Sequence, residues 1–88
     1  MTTLSAPATK LFGENTIEKQ CYNIAESFKE YIPVMNDRNR LGFNLYRFVI
    51  GEGDAPEVIV PNIKIKLEGI SQKDLAVKLN EALKDIKK

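Results

Sequence analysis

Three arginines fall within ten residues of this chain, Arg38, Arg40 and Arg47, and two aromatic residues, Tyr46 and Phe48, flank the last of them. Lys64 and Lys66 follow in a β-rich run, and Lys73 lies beyond it. Cations grip phosphates and aromatic rings stack on bases, so on one face this set would suit single-stranded nucleic acid. Negative charge gathers instead at Glu52, Asp54 and Glu57, around the glycines of residues 51–56. Carboxylates on a glycine-rich turn can hold Ca²⁺ or Mg²⁺. Their spacing matches no known ion-binding loop, however, and a solvated hairpin tip accounts for them equally well. The same carboxylates would repel a phosphate, which argues against a phosphate cradle. No metal and no cofactor is assigned.

Catalysis is the weakest function class. The chain has no histidine, which removes Ser-His and Cys-His nucleophile pairs and the usual general base. With one cysteine and no histidine, a structural zinc site within one chain is not expected. Cys21 lies on an apolar helical stripe and reads as a small core residue; a nucleophilic role needs nearby cations, and Lys19 is the one neighbour of that kind. No glycine-rich nucleotide fingerprint is present.

The elements that must position these residues are few. At 88 residues the chain is one domain, with hydrophobic residues at 43% and charged residues at 28%. A domain this small buries only about 60–65% of the surface its unfolded chain exposes, so a shared surface would help it. The net charge of +1 gives no global reason to bind nucleic acid or an anionic membrane. One unpaired cysteine suits a reducing compartment. The start, MTTLSAPATK, lacks the basic and apolar regions of a secretory signal, and no run approaches a membrane span. A cytoplasmic protein is the expectation.

Residues 1–12, rich in Thr, Ser, Ala and Pro, read as a flexible N-terminal tail, with Leu11 and Phe12 available to pack on a single domain over 13–88. Asn15 reads as a helix N-cap with Glu18 closing a capping box. Behind it Ile17, Cys21, Ile24, Ala25, Phe28 and Ile32 recur at steps of three and four, one stripe of an amphipathic helix that Pro33 ends. Residues 34–40 are polar and turn-like. Leu41 to Ile50 is rich in large apolar residues and reads as a strand, placing Leu41, Phe43, Leu45, Arg47 and Val49 on one face and Gly42, Asn44, Tyr46, Phe48 and Ile50 on the other.

Glu57 to Glu68 is β-branched but interrupted by Pro61, which predicts one bent strand or two short ones, with Ile63, Ile65 and Leu67 inward. Ser71 caps a second helix with Leu75, Leu79, Ala82, Leu83 and Ile86 on its buried stripe. The expected fold is therefore a two-layer α+β domain, α-β-β-(β)-α, with two helices on one face of a small antiparallel sheet. That order resembles double-stranded RNA-binding domains, whose second helix opens with a lysine cluster that grips phosphates. Here Ser71-Gln72-Lys73 supplies one lysine, and the family's histidine-containing loop is absent, so the resemblance is one of element order alone.

Apolar groups on both faces of the Leu41–Ile50 strand imply that something covers the second face. The leading expectation is a small non-catalytic protein-interaction module, an inhibitor, adaptor or assembly factor. It would use the open sheet face (Asn44, Tyr46, Phe48, Lys64, Lys66) or an edge strand, and could act as a homodimer. The alternative is RNA or single-stranded DNA binding through that aromatic and basic face, with Arg38, Arg40, Arg47 and Lys73 as further contacts. Cations gathered on one face would favour nucleic acid, and interleaved carboxylates would favour protein. No membrane and no small-molecule substrate is indicated. A regulator encoded by a phage or mobile element would have this make-up, as would many host proteins.

Overall fold

A computed structural model describes residues 16–86 and among them holds four helices and no strand. These are α1 (Ile17–Ser27), α2 (Met35–Val49), α3 (Pro56–Asn62) and α4 (Gln72–Leu83). The α+β expectation is overturned, and with it the sheet face, the edge strand and the likeness in element order to double-stranded RNA-binding domains. The tail over 1–12, Leu11, Phe12 and Asn15 lie outside the described residues.

The chain forms two helical pairs, α1 against α2 and α3 against α4, joined by lesser α1–α4 and α2–α3 contacts. Helix α1 follows the expected stripe: Cys21, Ala25 and the trailing Ile32 are buried, while Ile17, Ile24 and Phe28 pack partly against them. Its N-cap is Thr16, whose side chain accepts from Lys19 N at 3.1 Å and so satisfies one orphan donor of the first turn.

Helix α2 absorbs both the expected turn over 34–40 and the expected strand over 41–50. Its buried face is Asp37, Leu41 and Leu45 at steps of four, with Gly42 beside them. A Cβ at Gly42 would stand 2.5 Å from Tyr22 Cδ1, so the absence of a side chain there sets how closely α1 and α2 approach. The helix ends at Ile50, and Gly51 takes φ +85°, the left-handed conformation suited to glycine after a helix.

Helix α3 starts at Pro56, in its first turn, where the missing N–H costs nothing. Ile59 and Val60 carry it into the core. Pro61, read from the sequence as a strand break, instead lies within this short helix. Beyond it the alternation expected of a strand survives without a strand. Ile65 is buried and Ile63 and Leu67 half-buried, while Lys64, Lys66 and Glu68 are exposed. Two backbone donors of this segment find partners outside any ladder. Lys66 N donates to Asp37 Oδ2 at 3.0 Å and Glu68 N to the Tyr31 carbonyl at 2.8 Å. Ser71 caps α4 as expected, accepting from Asp74 N at 3.1 Å, and Leu75, Ala76 and Leu79 are buried.

Candidate functional site

All three arginines proposed as nucleic-acid contacts are tied within the fold. Arg38 is an ion-pair partner of Glu26 at 2.9 Å and donates to the Ile32 carbonyl at 2.9 Å, bracing α1 against α2 with a side chain only 13% exposed. Arg40 bonds the Asp37 carboxylate through Nη2 and donates to the Ile63 carbonyl through Nη1 at 2.9 Å. Arg47 donates to the Glu52 carbonyl at 2.9 Å, closing the loop after α2. Of these only Arg40 and Arg47 leave much surface to solvent.

The centre of this arrangement is Asp37, only 7% exposed and the one buried charged residue among those described. The Lys66 backbone N–H, followed by Arg40, holds its carboxyl below the ordinary carboxylate range against the upward push of burial. The turn-like reading of residues 34–40 puts Asp37 in a turn. In the structure it is a core position of a helix, fastening α2 to the segment after α3.

The remaining expected contacts do not converge. A two-residue period puts Tyr46 and Phe48 on one face, but two residues of a helix span about 200°. Phe48 lies with Val49, Leu83, Lys84 and Ile86 on the α4 side. Tyr46 lies on the other side of α2, half-buried and packed partly against the core. Asn44 turns back on its own helix, donating to the Arg40 carbonyl at 2.8 Å. Lys64 is exposed with φ +54° in the turn after α3, and Lys66 pairs with Glu68 at 3.5 Å. Lys73 lies on α4, lining an open groove of about 510 Å³ with Pro61, Ala76, Val77, Glu57 and Asn80. There Asn80 donates to Glu57 at 3.1 Å and lowers that carboxyl's pKa. Carboxylates are interleaved with the cations: Glu26 with Arg38, Asp37 with Arg40, Glu68 with Lys66.

What the structure does assemble is an apolar stripe on the outward side of α2. Met35 is 60% exposed, Phe43 47% and Ile50, at the helix C-cap, 39%. At about 100° per residue these three fall within an arc of roughly 80°, with exposed Asn39 and half-buried Tyr46 between them. None of the five is charged. The strand reading puts Phe43 on the covered side; the helix turns it to solvent. Read at period 3.6, Asp37, Leu41 and Leu45 define the inner face, and Met35, Asn39, Phe43, Tyr46 and Ile50 the outer one. That is the signal the strand reading missed. Beside the stripe, Asn39 joins Glu18, Lys19 and Tyr22 around a further open groove of about 460 Å³.

Cys21 is fully buried, and burial, aided by Glu18, pushes its thiol up to about 11, which disarms it as a nucleophile at neutral pH. Among the described residues no group of three or more His, Cys, Asp or Glu could hold a metal ion, and no helix is long and apolar enough to cross a membrane. Comparison with models of protein families, with curated proteins and with solved structures finds no match to this chain.

Proposed function

We propose that this chain is a small non-catalytic protein-interaction module, an inhibitor, adaptor or assembly factor of the cytoplasm, and that it binds through the outward stripe of α2. The supporting observation is the exposure of Met35, Phe43 and Ile50 along one uncharged helix face. Isolated apolar residues on a surface are ordinary, whereas several aligned on one element favour a contact surface. An amphipathic helix or a second helix face is the complement such a ridge takes.

Nucleic-acid binding loses its footing, because Arg38, Arg40 and Arg47 each serve the fold and carboxylates stand among the cations. The proposal is tested by affinity capture with tagged wild-type chain, a Phe43→Ser variant and a Val77→Ser variant as baits, followed by mass spectrometry. Val77 is exposed on α4, away from the stripe, and serves as the control. The expected result is a protein, another copy included, retained by wild type and Val77→Ser and lost with Phe43→Ser. Retention indifferent to Phe43, or retention of nucleic acid alone, overturns it.

A further inference from the structure

We propose that the groove between α3 and α4 is a second docking surface, and that it takes an amphipathic helix of a partner protein carrying a basic and an acidic residue two turns apart. It shares no residue with the α2 stripe and stands or falls separately from it. The groove has an apolar floor and oppositely charged ends. Pro61, Ala76 and Val77 form the floor, with Val77 55% exposed. Glu57 and Asn80 close one end and Lys73 the other. Lys73 and Asn80 are seven residues apart on α4, a rise of about 10.5 Å.

The two ends call for opposite charges. At the first, Asn80 donates to Glu57 at 3.1 Å, which orients the carboxylate and favours its ionised form. Pro61 adds a second acceptor there. Lacking an N–H, it leaves the Glu57 carbonyl without the donor a helix normally supplies four residues on. Lys84, one turn beyond Asn80, is engaged by Glu81. This end suits an ammonium or a guanidinium. At the other end Lys73 has no hydrogen-bond or ion-pair partner among the described residues. Its neighbour Asp74 lines a different groove, with Tyr31 and Gly69. That end suits a carboxylate.

The spacing selects a helix as the occupant. Residues i and i+7 of a helix share a face about 10.5 Å apart, with i+3 and i+4 between them. A partner helix laid along the groove sets its basic residue at Glu57 and its acidic residue at Lys73. Its apolar i+3 and i+4 side chains then rest on Pro61, Ala76 and Val77. Ala76 offers only a methyl, which lets the helix axes approach closely. Exposed ion pairs contribute little, so dissociation constants of roughly 10 µM to 1 mM are the range to search.

Nuclear magnetic resonance titration of the isotope-labelled full chain is the test. The probes are four synthetic alanine-rich helical peptides with leucine at i+3 and i+4. At i and i+7 they carry Arg and Glu, two Arg, two Glu or two Gln. The mixed-charge peptide should bind about fivefold tighter than the other three at low salt, and about 0.5 M salt should erase the preference. Amide shifts should appear at Ala76, Val77 and Asn80 and not at Asn39 or Phe43. Reversing one charge should redirect the choice whichever way the peptide runs. Glu57→Lys should prefer the two-Glu peptide, and Lys73→Glu the two-Arg peptide. Both positions are exposed, and circular dichroism checks that the fold is kept. No shift up to about 2 mM peptide, equal affinity for all four, or a preference that neither reversal changes overturns the proposal. Shifts that spare Ala76, Val77 and Asn80 overturn it as well; where they fall on Met35, Phe43 and Ile50 instead, the α2 surface is left standing.

Discussion

Replacing Asp37 by alanine should weaken the fold more than any other single loss of a charge among the described residues. The carboxylate accepts from Lys66 N at 3.0 Å and from Arg40, and Arg40 in turn reaches the Ile63 carbonyl. The Arg40 side chain is 52% exposed and can turn to water, so its share is that of a surface ion pair, about 0–1 kcal/mol. The Lys66 N–H has no such freedom while the segment over 63–68 stays docked, and orphaning it costs about 1–3 kcal/mol. Together these give about 1–4 kcal/mol. In urea, with a slope near 1 kcal/mol/M for so small a chain, the unfolding midpoint should fall by about 1–4 M. Asp37→Asn retains an acceptor for Lys66 and should lose about half as much.

Acid supplies the second reading. The folded pKa lies below the ordinary 3.8, so this carboxylate's contribution is complete above the unfolded value and is lost as pH falls through the folded one. The stability gap between wild type and Asp37→Asn should therefore be flat from neutral pH to about 5 and close below about 4. A midpoint for Asp37→Ala within about 0.5 M of wild type, or a gap that does not close in acid, would refute the structural role assigned to Asp37.

Gly42→Ala forces a methyl to 2.5 Å from Tyr22 Cδ1 and 3.2 Å from the Tyr22 backbone. Overpacking of about 1–3 kcal/mol should outweigh alanine's helix advantage of about 1 kcal/mol, giving a lower thermal midpoint that Tyr22→Ala partly restores; a raised midpoint contradicts the close approach. Ser71→Ala removes the acceptor for Asp74 N and should cost about 1 kcal/mol in urea unfolding, whereas a change under about 0.3 kcal/mol would count against that cap. Cys21, fully buried with its pKa raised to about 11, should react with a thiol reagent at neutral pH only in denaturant, and prompt reaction of the folded chain contradicts its placement.

How much of this was legible depends on what each segment buries. Helices α1 and α4 carry simple aliphatic stripes, and Cys21, Ala25, Leu75 and Leu79 occupy the inner positions that their spacing assigned. Helix α2 hides its period because its inner face begins with a carboxylate. Asp37 occupies the place an apolar residue would mark, and its partners, Lys66 N and Arg40, include a backbone group nearly thirty residues away that local periodicity cannot anticipate. With that anchor unseen, the apolar run after it looked like a two-faced strand. The segment over 63–68 shows the converse. Its alternation describes the burial of Ile65 correctly, yet alternation reports only which side chains face inward. The backbone groups at 66 and 68 bond a helix side chain and a turn carbonyl, so no ladder forms.

The same two facts carry the functional argument. A strand reading sets Tyr46 with Phe48 and makes the arginines a basic fringe, which suits nucleic acid. A helix reading divides those aromatics and turns Phe43 outward beside Met35 and Ile50. It also draws Arg38, Arg40 and Arg47 into bonds with Glu26, Asp37 and three backbone carbonyls. Of the arginines that looked available for a ligand, Arg38 braces two helices, Arg40 fastens α2 to the segment after α3, and Arg47 closes the loop after α2. The hydrophobic surface that looked like core is what α2 presents to solvent, and surface of that kind is relieved most directly by another helix.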